Sequence, residues 1–283
     1  MLYMIAISSY YISRRTLITL CHISITVKSD IISRQKMTYK IAEMTGQEYL
    51  RRIKENPTVI IPTGACEIYG KHLPLGSDIL IAEKVAEMLA DKLQAVVAPV
   101  IQCGESSSLR AFPCTFPMPK EVMDGYIRFL MEKLLSDGVK NFIFVTGHAG
   151  NVPIIDYVIR THTGEGIKAC QFDFWRMTNA LSGDIFDYKG GHAAECGTSV
   201  MMYLYPELVD MESYEGCAPR KDDFPEFTDY DPFTVKTATG CIGFADKATP
   251  EKGKKIIDAC IDRMMEYLSA KGFLNCCVEK DIS

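Results

Sequence analysis

Residues 58–104 read TVIIPTGACEIYGKHLPLGSDILIAEKVAEMLADKLQAVVAPVIQCG, and the order of patterns in this stretch sets the architecture. The apolar run Val59–Ile61 is short, β-branched and stopped by Pro62 and Gly64, as expected of a buried strand. SDILIAEKVAEMLADKL then repeats apolar residues at helical spacing, with Ser77 or Asp78 in place to cap its start. AVVAPVIQCG reads as the next strand. Strand, helix, strand predicts an α/β fold with a parallel sheet and helices on both faces.

The flanking sequence continues the alternation. Residues 40–56 (KIAEMTGQEYLRRIKEN) carry a helical pattern with Thr45 as a possible cap, and 119–139 (PKEVMDGYIRFLMEKLLSDGV) opens on Pro and closes on Gly, the polarity of a helix. NFIFVTGHAGN (141–151) is a strand running into a Gly-rich turn, followed by the helix VPIIDYVIRTHT (152–163). GGHAAECGTSVMMYLYPE (190–207) places a Gly pair before an apolar helix. No internal repeat or low-complexity linker interrupts the pattern.

Bulk properties narrow the function classes. The chain has 283 residues, 36 acidic against 31 basic, with no Lys/Arg cluster interleaved with aromatics, which argues against a nucleic-acid partner. No apolar run reaches the length of a membrane span. Eleven scattered cysteines, an odd number without a CxxC pair, suit free thiols in a reducing cytoplasm better than a disulfide framework. Residues 1–36 differ from the rest: they hold no acid before Asp30, and Arg14 and Arg15 break the apolar part. They make a poor secretory signal. A transit peptide is one reading; the preferred one takes Met37 as the true start, which leaves 1–36 as a leader outside the fold and a single domain over 37–283.

In open parallel sheets ligands bind beyond the carboxyl ends of the strands. ACEIYGKHLPLGSD follows the first predicted strand and GHAGN a later one, so Glu67, Asp78 and His148 can converge in one crevice. Two carboxylates and an imidazole suit zinc, manganese or iron. His192 and Glu195 add a third group, near a helix start. SSSLRAF (106–112) puts Ser106, Ser107, Ser108 and Arg110 after a strand, either to hold a polar substrate or as an ordinary loop. KDDFPEFTDYDPF (221–233), acidic and aromatic, is long enough for a lid or an arm to a neighbouring subunit.

These segments carry a resemblance. EIYGKHLPLGSD resembles the creatininase family's Glu-x-His-Gly-x-His-Leu-Pro-Leu followed by Thr-Asp; TGHAGN resembles its Asn-Gly-His-Gly-Gly-Asn turn, HAAECGTSVMM its His-Ala-Gly then Glu-Thr-Ser element, and FPCT (112–115) its Phe-Pro-Gly-Thr. ATGCIGFADKATPEKGKKII resembles the family's last Gly-rich run into a helix. The resemblance implies a metal-dependent amidohydrolase on a three-layer α/β/α fold with a mostly parallel sheet, a homo-oligomer and often a hexamer, acting on a small cyclic compound. It carries metal ligation onto Glu67, Asp78 and His148, and proton transfer onto His192. His72 matches a histidine that is not a ligand, and is expected, with Ser107 and Arg110, on the substrate side.

The departures are informative. Tyr69 stands where the family has a metal-binding histidine, Gly150 where creatininase has a liganding Glu, and Gly197 where the Glu-Thr-Ser glutamate would be. A phenol, losing its proton near pH ~10, is a poor ligand at neutral pH. The expectation is therefore one divalent ion rather than two, on Glu67, Asp78, His148 and the displaced Glu195. His192 and Glu195 would move protons, and Tyr69 would donate to a developing oxyanion. A C–C bond hydrolase acting on a cyclic diketo-inositol, or a non-catalytic member, are the alternatives; metal content separates an enzyme from a scaffold.

Overall fold

The computed structural model describes residues 38–219 and 232–274. The leader expected over 1–36, and residues 221–231 of the acidic aromatic segment, lie outside the described residues. From Tyr39 onward the described residues form one compact unit. Its elements are α1 (Gly46–Glu55), β1 (Thr58–Thr63), α2 (Ser77–Leu93), β2 (Val96–Val97), α3 (Lys120–Ser136), β3 (Asn141–Thr146), α4 (Val152–His162), β4 (Lys168–Asp173), α5 (Phe174–Leu181), α6 (Glu195–Leu204), α7 (Phe233–Lys236) and α8 (Pro250–Ala270). The strands form one sheet in the order β2-β1-β3-β4, every pairing parallel.

Alternation along the two central strands builds three layers. Val59, Ile61, Phe142 and Phe144 face α1, α3 and α4, meeting Ile53, Met123, Ile127, Met131, Ile155 and Val158 in one core. The intervening Ile60, Ile143 and Val145 face α2, α6 and α8, meeting Ile81, Val85, Leu89, Met201, Ile257 and Met264 in the other. A strand buried on both faces must be apolar at every position, which is why β1 and β3 read as unbroken runs.

The local differences from expectation have physical causes. Pro62 does not end β1: the strand runs through it to Thr63, and the Pro62 carbonyl still accepts from Ile101 N. The strand expected over AVVAPVIQCG shrinks to Val96–Val97 because Pro99 cannot donate to the ladder, and contact resumes as a single bridge between Thr63 and Ile101. The helix expected over 40–56 splits into a 3-10 turn (Ile41–Glu43) and α1, with the Thr45 hydroxyl accepting from Glu48 N. β4 was not anticipated; KACQFD is half polar, with only Cys170 and Phe172 buried, as an edge strand can be.

Candidate metal centre

The carboxyl ends of β1 and β3 press against the first turn of α2. A Cβ at Gly147 would lie 2.4 Å from the Asp78 carbonyl oxygen, and one at Gly64 would lie 2.5 Å from Ile79 N. Only glycine permits this approach, and it brings Asp78 beside the residues that follow both strands. Asp78 is therefore not the N-cap that its position allowed: α2 starts at Ser77, after Gly76, and the Asp78 side chain is buried in the crevice.

Glu67, Asp78 and His148 meet there, all buried, with one ligand atom from each within 4.8 Å of the others. His148 Nδ1 lies 2.9 Å from Asp78 Oδ2 and 3.4 Å from Glu67 Oε1. Its Nε2 lies 2.9 Å from the Glu105 carbonyl oxygen. A carbonyl only accepts, so Nε2 carries a proton and Nδ1 is the nitrogen that faces the two carboxylates. Burial pushes the imidazole pKa down, but hydrogen bonds to Asp78 and Glu67 outweigh it and hold His148 well above its ordinary range. Burial raises Glu67, yet the His148 hydrogen bond and charge, with His192 and Ser106, bring it below the usual value. Asp78 is raised, by burial first and by the Glu67 charge in addition.

A divalent ion fits this donor set. Asp78 Oδ1 is buried with no hydrogen-bond partner, a costly arrangement that a cation would satisfy. His148 Nδ1 faces an oxygen of each carboxylate, so the three donors converge on one spot. Of the hard and borderline donors present, two oxygens and one imidazole nitrogen, none selects a soft ion.

The remaining expected residues divide. Tyr69 is buried beside the site, its ring 4.5 Å from that of His192. Burial, then the Asp78 and Glu67 charges and a hydrogen bond to Asp78, raises its phenol well above the ordinary value, so it stays protonated and is a donor toward the carboxylate cluster. His192 lies at the rim, where Nε2 donates to the Ile68 carbonyl at 2.8 Å and approaches Glu67 Oε1 at 4.0 Å. Phe233 packs edge-on against its other side at 5.4 Å.

Glu195 requires correction. It is fully buried, but its carboxylate accepts from Lys252 Nζ at 2.5 Å and from Tyr188 N at 2.7 Å. It joins α6 to α8 and stands outside the ligand cluster. His72 is also structural rather than substrate-facing: it is buried, with Nε2 3.0 Å from Thr198 Oγ1, its ring against Tyr214, and burial lowers its pKa to about 4. In the serine segment, Arg110 is exposed and Ser107 N bonds Glu105 Oε1. Ser106 is the residue that arrives, its hydroxyl donating to Glu67 Oε2 at 2.5 Å. Three consecutive serines gave no means of choosing among them.

The family pattern described as Creatininase: Creatinine amidohydrolase matches residues 42–268. The chain belongs to the creatininase family. The creatinine amidohydrolase of Pseudomonas putida is 27% identical over 252 residues, covering 81% of this chain and 95% of that protein. The mycofactocin precursor peptide peptidase of Mycobacterium ulcerans is 27% identical over 228 residues, covering 75% of this chain and 86% of the relative. A crystal structure of creatinine amidohydrolase (creatininase) superposes with a TM-score of 0.74 at 25% identity, covering 83% of this chain and 98% of that one. The fold expected from the creatininase resemblance is therefore the fold present, and the catalytic relatives of this creatininase-family chain are hydrolases.

Proposed function

We propose that this chain is a metal-dependent hydrolase that holds one divalent ion, zinc, manganese or iron, on Glu67, Asp78 and His148 and opens an amide bond in a small polar cyclic compound. The observation that supports this most is the buried trio of ligand atoms within 4.8 Å, with Asp78 Oδ1 left without a partner. When bound, such an ion supplies a water acidified from about 15.7 toward about 7 and a Lewis acid for the scissile carbonyl.

The chain's own residues complete the chemistry. His192 Nε2 donates to the Ile68 carbonyl and lies 4.0 Å from Glu67 Oε1, which sets this imidazole beside the cluster to pass a proton between attacking water and the leaving nitrogen. Tyr69, protonated and buried, can donate a hydrogen bond to the oxygen on which negative charge develops. His192, with Tyr69 tilted against it and Phe233 edge-on, forms an aromatic wall suited to positioning a ring and keeping bulk water from the reacting carbonyl.

Space as well as ligand type supports one ion rather than two. A Cβ at Gly150 would lie 2.1 Å from the Glu105 carbonyl oxygen, so this backbone cannot present a carboxylate there. The test is hydrolysis of creatinine and a panel of cyclic amides by protein loaded with zinc or manganese, followed by amine or carboxylate release. Turnover abolished by a chelator, restored by the ion and absent in Glu67→Gln supports the reading; turnover insensitive to chelator and to that substitution refutes it.

A further inference from the structure

We propose that the segment Gly104–Ser106, locked by Asn151, is a positioning clasp that presents one chosen atom of Glu67 and one of His148 to the ion, with Ser106 as its principal positioning residue. The inference rests on the metal reading above. Two neighbouring residues of one loop each occupy the wrong atom of a different ligand. The Ser106 hydroxyl, fully buried, gives its only proton to Glu67 Oε2 at 2.5 Å and so leaves Oε1 as the free oxygen, 3.4 Å from His148 Nδ1. The Glu105 carbonyl takes the His148 Nε2 proton at 2.9 Å and so leaves Nδ1 facing the carboxylates. Ser106 Oγ is 3.5 Å from that same Nε2, too far to compete with the carbonyl.

The loop is itself held. Glu105 N donates to Asn151 Oδ1 at 2.9 Å, and Asn151 Nδ2 donates to the Gly64 carbonyl at 3.0 Å, with Asn151 fully buried. Asn151 thus ties the loop to the end of β1 from the turn that carries His148. The fit leaves no slack: a Cβ at Gly104 would lie 2.6 Å from Asn151 Oδ1 and 2.7 Å from the Gly64 carbonyl oxygen. The Glu105 carbonyl also fills the space that a side chain at 150 would need, so the clasp and a ligand at that position exclude each other.

The test is zinc and manganese affinity of the full-length chain, measured by competition with a chromophoric chelator, beside the melting temperature of each metal-free variant. Ser106→Ala should bind about 10–100-fold more weakly, the scale for losing a hydrogen bond behind a metal ligand. Asn151→Ala, which releases the loop without touching a ligand, should weaken binding in the same range of about 10–100-fold. Ser106→Thr keeps the donor and should stay within about threefold of the unsubstituted chain, a rescue that a purely packing role would not give. Unchanged affinity in both alanine variants, or a threonine variant as weak as Ser106→Ala, overturns the clasp. An unsubstituted chain that binds no ion, or binds it no better than Glu67→Gln, overturns the metal reading instead, so the two failures are distinguishable.

Discussion

Replacing Glu195 by alanine separates stability from metal binding. The side chain is fully buried and makes two bonds, to Lys252 Nζ at 2.5 Å and to Tyr188 N at 2.7 Å. Removing one partner of a buried ion pair costs about 3–5 kcal/mol when the other charge is stranded. Lys252 is not stranded: it is partly exposed and keeps Asp187 Oδ2 at 2.5 Å and the Lys247 carbonyl at 3.0 Å. That places the ion-pair loss near 2 kcal/mol, below the usual ~3–5 kcal/mol range. A weakened Tyr188 N–H adds about 1 kcal/mol. The sum, about 3 kcal/mol, lowers the melting temperature of a domain this size by about 6–12 °C. Thermal unfolding of the metal-free variant reads this directly, and chelator competition should show metal affinity unchanged within about twofold. An unaltered melting temperature together with lost metal would refute the assignment and return Glu195 to the ligand set.

Tyr69→Phe should retain the metal and lower turnover by about 10²-fold, the scale for losing one donor to a developing oxyanion; loss of metal from this variant would make the phenol a ligand after all. His72 makes a pH prediction. Its folded pKa is about 4, against about 6.5 unfolded, so the unfolded chain takes up a proton that the folded chain does not. Its contribution is present above pH ~6.5 and is lost as pH falls toward ~4, by about 3 kcal/mol, and His72→Gln should flatten that part of the denaturant-midpoint profile. An equally steep profile in the variant would show that other groups cause the acid instability. Gly150→Glu should fail to create a second metal site and should destabilise the fold, because its Cβ would meet the Glu105 carbonyl at 2.1 Å; a variant binding two ions with normal stability would contradict this.

The parts of the fold legible in sequence were those whose residues report burial locally. β1 and β3 are buried on both faces and therefore read as apolar runs, and α2 and α3 show helical spacing between recognisable ends. β4, only partly buried at the sheet edge, has no such run. At the candidate site, Glu67, Asp78 and His148 were legible because each follows or heads an element whose end is marked by glycine. Glu195 was misjudged because its neighbour in sequence is His192, while its partner in space, Lys252, arrives from 57 residues away. His72 was misjudged for the same reason: Thr198, its partner, lies 126 residues on, and no spacing rule connects them.

The central claim is a single divalent ion held by three buried side chains. Its most direct test is metal content per chain after saturation with zinc or manganese and removal of excess, for the unsubstituted protein and for Glu67→Gln, Asp78→Asn and His148→Ala. The geometry predicts one ion per chain, lost in all three variants, because each removes a donor or a charge from the cluster within 4.8 Å. Two ions per chain, or one ion retained in all three variants, would contradict it.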